Sequence, residues 1–264
     1  MYFKTRSGRL LYYETKKGNS GKTLVLLNGL TQSTMSWALM EPKLNNHSLV
    51  LMDFIFQGKS EKTGEWQNFN EHAVDVADLL DNIGLKSANI AGLSYGSLVA
   101  QHFAVLFPEK LDRLILMSSF CYKTPYYIAI EAAWENAIKI GGYPLMLDVM
   151  LPTVLSENYF NSPIIPIELM KQARTELNQD SSALIKLMQA TKARGDYRKE
   201  LNKINSPTLI IHGEKDLLFP VHMGKAVAEN INGSKFVLIE GAGHTLNLEG
   251  IIKTCETIND FISH

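Results

Sequence analysis

Short apolar runs that alternate with longer helix-like segments restrict the fold of this chain more than any other feature of its sequence. The runs lack the in-and-out alternation of a strand with one exposed face, and are therefore typical of strands covered on both faces. Strand and helix in regular succession predict parallel strands joined by right-handed crossovers, with helices on both faces of the sheet. Six strands are predicted in this way: Thr23–Leu27, Leu49–Met52, Ala88–Ala91, Leu114–Met117, Thr208–Ile211 and Phe236–Ile239.

A hairpin and three helices complete this pattern. Tyr2–Arg6 and Leu10–Glu14 flank Ser7-Gly8, which predicts an antiparallel hairpin at the sheet edge. The fold class is therefore α/β, with a mostly parallel, twisted sheet of about eight strands. The predicted helices are Phe69–Ile83, Tyr95–Phe107 and Val221–Ile231.

Residues 121–200 interrupt the alternation of strands and helices. Five of the nine prolines lie there, and the apolar residues follow a helical rather than a strand pattern. An excursion of 80 residues between two strands is too long for a loop, so it should have its own structure. We predict a helical cap at 121–200, inserted before the last two strands, on an α/β core formed by residues 1–120 and 201–264.

Charge and composition exclude several classes of function. The 26 basic and 27 acidic residues nearly cancel, so nothing favours a nucleic-acid or anionic-membrane partner. Two cysteines, Cys121 and Cys255, fit neither a disulfide framework nor a zinc site. No apolar stretch approaches the length of a membrane span, and the amino terminus lacks the apolar region of a secretory signal. The sequence predicts a soluble, cytoplasmic protein, and it leaves the oligomeric state open.

The main chemical motif is Gly92-Leu93-Ser94-Tyr95-Gly96, which lies between a predicted strand and a predicted helix. In that setting G-x-S-x-G forms a sharp turn, and the flanking glycines remove side chains that would collide there. The Ser94 hydroxyl would then project above the sheet at the positive end of the helix. We predict that Ser94 is a nucleophile.

A serine nucleophile needs a base, and the base needs an orienting group. Asp216 and His244 each follow the carboxyl end of a predicted strand, the edge of the sheet where Ser94 lies. The chain order Ser–Asp–His is also the one that accompanies this turn. We predict a catalytic triad in which His244 is general base and then acid, and Asp216 orients it. Asp53 and Glu214 are the alternative acids.

An oxyanion hole requires two preorganised backbone donors. We predict that they are the N–H groups of Tyr95, which follows the nucleophile, and of Leu30, in the loop after the strand 23–27. Gly29 would permit the close turn of that loop.

Of the other histidines, two are predicted to be packed or structural, and four are predicted to be solvated. The packed ones are His102 and His212, and the solvated ones are His47, His72, His222 and His264.

These stretches together resemble the α/β-hydrolase superfamily over essentially the whole chain. Asp53–Ser60 is similar to the D-x-x-G-x-G-x-S segment of that family, although the first glycine is absent. Asn28-Gly29 stands where most members have His-Gly. The Asn-Gly pair, the segment at Asp53 and Leu248-Glu249 also resemble the hydroxyacyl-carrier-protein acyltransferases of rhamnolipid biosynthesis.

The favoured function is hydrolysis of a carboxylic ester or thioester through an acyl-Ser94 intermediate, without a metal or cofactor. The substrate would be a small molecule with a largely apolar acyl group, which acyl carrier protein or coenzyme A could carry. One alternative is an acyltransferase that passes a (hydroxy)acyl group from a thioester to an alcohol. A second is a non-catalytic receptor for a small molecule. The predicted substrate-binding residues of the cap are Trp134, Tyr143, Met146 and Met150.

Overall fold

The computed structural model describes residues 1–19, 21–177 and 180–263, and its strands form one sheet. The strand order is β1-β2-β4-β3-β5-β6-β7-β8. β2 is antiparallel to both β1 and β4, and all the other neighbours are parallel. The strands are β1 (Tyr2–Lys4), β2 (Leu10–Lys16), β3 (Thr23–Leu27), β4 (Ser48–Met52), β5 (Ala88–Leu93), β6 (Leu111–Met117), β7 (Thr208–Gly213) and β8 (Lys235–Ile239).

The predicted α/β fold class, the hairpin and all six predicted strands that follow it are confirmed. Several strands are longer than their apolar runs. β5 continues through Gly92 and Leu93 because these residues pair with Leu116 and Met117 of β6. This extension brings β5 directly to Ser94.

Alternate residues of the inner strands enter two separate hydrophobic layers. Val25 and Leu27 pack with the helices α1 (Phe69–Asn82) and α2 (Tyr95–Leu106), whereas Leu24 and Leu26 pack with α9 (Ile251–Ser263) on the opposite face. The apolar run of β8 predicts a strand that is covered on both faces, but β8 is the edge strand and its Leu238 is 43% exposed. The helices outside the insertion are α1 (Phe69–Asn82), α2 (Tyr95–Leu106), α8 (Val221–Glu229) and α9 (Ile251–Ser263).

A helical insertion separates β6 from β7, as the sequence predicts. Its first helix, α3 (Pro125–Val154), is kinked at Gly141–Gly142, where Gly142 adopts a φ of 66°. The division into a cap at 121–200 and a core at 1–120 and 201–264 stays a prediction. The remaining helices of the insertion are α4 (Glu157–Asn161), α5 (Ile167–Leu177), α6 (Ser181–Ala193) and α7 (Arg198–Leu201).

Candidate active site

Ser94 lies in the turn between β5 and α2 and has a φ of 52°, which is rare for a residue with a side chain. Both glycines of the motif are sterically required. A Cβ at Gly92 would come within 2.2 Å of the Gly96 oxygen, and one at Gly96 within 2.2 Å of the Leu27 oxygen. The Ser94 N–H donates to the Met117 oxygen at 2.9 Å, which ties the strained turn to the neighbouring strand.

The structure joins the predicted acid and base directly. Asp216 follows β7 and His244 follows β8, and Asp216 Oδ2 lies 2.8 Å from His244 Nδ1. Both residues are buried, at 3% and 5% exposure. Charge-assisted hydrogen bonds of this kind are short and strong. Asp216 therefore holds the ring of His244 through Nδ1, which leaves Nε2 for another partner.

Two further groups fix Asp216 itself. The Phe219 N–H donates to Asp216 Oδ1 at 2.8 Å. His212 Nε2 donates to the Phe219 oxygen at 2.6 Å and lies 3.5 Å from Asp216 Oδ2. Burial lowers the pKa of His212, which favours its neutral form. His212 is packed, as predicted, and it supports the turn that presents Asp216 to His244.

Ser94 and His244 line one cavity. Gly29, Leu30 and Tyr95 line the same cavity. The two predicted oxyanion donors thus belong to residues that surround Ser94, one in the loop after β3 and one at the start of α2. All five residues lie at the carboxyl ends of parallel strands, where ligands bind in open α/β sheets.

Two of the four predicted cap residues lie at this cavity. Trp134 and Met150 contribute to its wall, both from α3. Tyr143 and Met146 do not line it; they are buried in the hydrophobic core, with 2% and 0% exposure. The kink at Gly141–Gly142 changes the direction of α3 just before these two residues.

The structure also brings residues to the cavity that the sequence analysis missed. Arg174 of α5 contributes a positive charge to a wall that is mostly apolar. Phe219 lies edge-on to the His244 ring, with centroids 4.9 Å apart. Thr31 and Gln32 add polar groups beside Leu30. Thr31 and Gln32 carried a signal in the sequence, because Thr31 belongs to the predicted oxyanion loop and Gln32 directly follows it.

The two alternative acids make other contacts. Asp53 accepts hydrogen bonds from the backbone N–H groups of Thr34 and Lys59, at 2.7 and 2.9 Å. Its burial raises its pKa, which these bonds oppose. Glu214 accepts from the Gly241 N–H at 3.0 Å. Asp53 therefore organises its own loop, and Glu214 binds the turn after β8 rather than the ring of His244.

The prediction that His47 and His72 are solvated is wrong, because neighbouring elements cover both rings. His47 is 3% exposed and donates to a side chain of α9. His72 is 1% exposed and forms a 2.8 Å hydrogen bond with the Tyr95 hydroxyl, and burial lowers its pKa to about 3. Of the other two, His222 is exposed and His264 lies outside the described residues.

His102 is packed, as predicted, with its ring stacked on Tyr197 at a centroid distance of 4.0 Å. Within the residues that the structure describes, no group of three or more His, Cys, Asp or Glu side chains could hold a metal ion. None of the described helices is long and apolar enough to span a membrane.

Comparisons with known proteins address the family and the fold. A family model described as alpha/beta hydrolase fold matches residues 22–140 and 182–251. A 2-hydroxymuconate semialdehyde hydrolase from Pseudomonas sp. (strain CF600) is 23% identical over 92% of this chain and 88% of its own length.

Two crystal structures are similar over the whole chain. The alpha/beta hydrolase enzyme MGS-M2, from a Medee basin deep-sea metagenome library, has a TM-score of 0.90 and 26% identity, covering 100% of this chain and 98% of its own. The enol-lactonase from Burkholderia xenovorans LB400 has a TM-score of 0.89 and 22% identity, covering 100% of both chains.

Proposed function

Because this chain belongs to the alpha/beta hydrolase fold family, we propose that it is a serine hydrolase that cleaves a carboxylic ester or thioester through an acyl-Ser94 intermediate. The observation that carries this proposal is the 2.8 Å contact between Asp216 Oδ2 and His244 Nδ1, beside a serine held at a φ of 52° in the same cavity. This is the arrangement that activates a serine hydroxyl.

In the first half of the reaction, His244 Nε2 takes the proton of the Ser94 hydroxyl as Oγ attacks the substrate carbonyl carbon. The resulting oxyanion accepts hydrogen bonds from the N–H groups of Leu30 and Tyr95. Collapse of this intermediate breaks the bond to the alcohol or thiol, which leaves with the proton that His244 returns. Asp216 stabilises the imidazolium that forms between these two transfers.

In the second half, His244 takes a proton from a water molecule, whose oxygen attacks the acyl carbon. The second oxyanion accepts hydrogen bonds from the same two N–H groups. Collapse of this intermediate releases the carboxylic acid, and His244 returns the proton to Ser94 Oγ.

The wall of the cavity suggests the character of the acyl group. Leu98, Met150 and Leu218 provide apolar surface. We therefore extend the proposal to a largely apolar acyl group.

A substrate panel tests the reaction class. We would assay p-nitrophenyl esters, acyl-coenzyme A thioesters and lactones, with Ser94→Ala as the matched control. The wild type should turn over at least one class, and Ser94→Ala should lose roughly 10⁶-fold in kcat. Turnover that survives in Ser94→Ala would contradict the acyl-serine mechanism. Ester formation with an added hydroxy acid would identify the protein as an acyltransferase. Tight binding of a small molecule without turnover would identify it as a receptor.

A further inference from the structure

Gln57 lies in the segment Asp53–Ser60, to which the proposed mechanism assigns no role. Its side chain is buried, with 1% exposure. Nε2 donates to the backbone oxygens of Gly29 and Leu30, at 2.8 and 3.2 Å. Gln57 therefore contacts the loop after β3 from the protein interior. This loop carries the candidate oxyanion donor, the Leu30 N–H.

The orientation of the Gln57 amide follows from its other partners. Oε1 accepts from Asn28 Nδ2 at 3.3 Å and from the Phe54 N–H at 3.4 Å. In the opposite orientation, Oε1 would face two carbonyl oxygens and the NH₂ group would face two donors. Asn28 thus directs the donors of Gln57 toward the loop after β3.

The geometry of the peptide group then fixes the direction of the Leu30 N–H. In a trans peptide, the carbonyl and the following N–H point to opposite sides. Because the Gly29 carbonyl points to Gln57, the Leu30 N–H points away from it. Gly29 and Leu30 both line the cavity that contains Ser94. No residue that the structure describes accepts a hydrogen bond from the Leu30 N–H.

We propose that Gln57 is a positioning residue that aims the Leu30 N–H at the substrate oxyanion. This inference rests on the proposed serine-hydrolase function. Gly29 has no side chain to restrict rotation of its peptide groups, so the loop needs an external restraint. The Gly29 oxygen also accepts from the Gln32 N–H at 3.2 Å, but that bond lies within the loop and does not tie it to the core. Gln57 ties the peptide group between Gly29 and Leu30 to the core, and it keeps two carbonyl oxygens directed away from the developing negative charge.

The test replaces Gln57 by Met, which keeps the length of the side chain and removes the amide. Ser60→Ala is the matched control: Ser60 is a buried residue of the same segment, whose hydroxyl donates to the Asp53 oxygen at 2.6 Å and does not touch the loop after β3. Both variants should lower the melting temperature. The rate constant for reaction of Ser94 with a fluorophosphonate, and kcat for p-nitrophenyl butyrate, report on the oxyanion site.

Gln57→Met should lower the fluorophosphonate rate constant and kcat by about 10- to 100-fold, because a misdirected donor stabilises the oxyanion less. KM of Gln57→Met should stay within about threefold, because the change removes no group that binds the ground state. Ser60→Ala should keep both rates within about twofold, because the Ser60 hydroxyl donates to the Asp53 oxygen and not to the loop that carries Leu30. If Gln57→Met does not fold, Gln57→Asn provides the same test, because its amide is one methylene further from the loop.

A variant at Gln57 that melts earlier but keeps both rates would overturn this inference and reduce Gln57 to a structural role. That result is distinct from failure of the proposed function. The latter would appear in the wild type itself, as a lack of fluorophosphonate reaction at Ser94 or as turnover that persists in Ser94→Ala.

Discussion

The Glu249 carboxylate accepts hydrogen bonds from both the backbone N–H and the side-chain hydroxyl of Ser156. The Ser156 N–H lies 3.2 Å from each carboxylate oxygen, and the Ser156 hydroxyl donates to Oε2. Ser156 caps the amino terminus of α4 in the insertion, whereas Glu249 also accepts from the Gly243 N–H at 3.2 Å. Gly243 directly precedes His244. The buried carboxylate therefore connects the helical insertion to the segment that carries the candidate base.

Glu249→Gln should destabilise the protein, because an amide cannot accept at both oxygens and its NH₂ group would face donors. Hydrogen bonds to a charged group contribute about 1.5–3 kcal/mol each. We expect a loss of about 2–3 kcal/mol and a fall in melting temperature of roughly 4–10 °C, measured by thermal unfolding. Glu256→Gln, at an exposed position of α9, is the control. A melting temperature equal to that of the control would mean that this connection contributes nothing to stability.

Asp216→Asn should lower kcat by roughly 10⁴-fold, because an amide stabilises the wrong tautomer of His244 and no longer balances its charge. Glu214→Gln should stay within about threefold, since Glu214 binds the Gly241 N–H instead. Steady-state kinetics on the best ester of the panel measures both. If Glu214→Gln is as slow as Asp216→Asn, the acid is assigned to the wrong residue.

The sequence was sufficient to predict the residues that meet at the sheet edge. Ser94, Asp216 and His244 each follow an apolar strand, and parallel strands end at a common edge. The strand pattern therefore predicts their common edge, and the G-x-S-x-G motif and the chain order Ser–Asp–His distinguish them from other residues that follow strands. The strand bounds were less accurate, because the ends of β5 and β6 depend on pairing between the strands rather than on hydrophobicity.

The residues that the sequence did not reveal depend on packing of the insertion or on loop conformation. Arg174 belongs to a helix without a motif, and its position depends on how that helix packs. Glu249 and Ser156 are 93 positions apart in the sequence. Phe56 stands where the family segment has its first glycine, and it adopts a φ of 72° while its ring is buried. Such a strained conformation has no signal in the hydrophobic pattern.

Acyl-chain selectivity should respond to Met150 and not to Met146. Both methionines belong to α3 and are buried, but only Met150 lines the cavity. In the wild type, kcat/KM should rise from acetyl esters to medium-chain esters, because each buried methylene contributes up to about 0.8 kcal/mol. Met150→Ala should move the preferred chain to greater length, whereas Met146→Ala should lower only the melting temperature.

A series of p-nitrophenyl esters from acetate to dodecanoate measures this preference in all three proteins. The same shift in both variants would show that the effect comes from loosening of α3 rather than from the wall of the cavity. A flat or falling trend in the wild type would contradict an apolar acyl site.

The pH dependence of stability should contain a contribution from Asp75, which is 2% exposed on α1. Burial, together with the nearby Asp78, raises the pKa of Asp75 from 3.8 to about 7. Between these two values the folded protein binds more protons than the unfolded chain, so stability falls as the pH rises toward 7. Asp75→Asn should remove this loss of stability. The free energy of unfolding of the variant, relative to that of the wild type, should therefore rise by roughly 2–4 kcal/mol from pH 4 to pH 8.

Urea unfolding at several pH values measures this difference. Asp81→Asn is the control, because Asp81 lies on the same helix, is exposed and pairs with Lys110. A difference between Asp75→Asn and wild type that does not change with pH would contradict a raised pKa at Asp75.

The most direct test of the central claim is mass spectrometry of the protein after treatment with a fluorophosphonate. One adduct per chain is expected, located at Ser94, because among the serines that the structure describes only Ser94 lines the cavity that contains His244, the partner of Asp216. Ser94→Ala should give no adduct while it keeps a cooperative thermal transition. An adduct of equal yield in Ser94→Ala, or an unmodified wild-type protein, would contradict the assignment of Ser94 as the nucleophile.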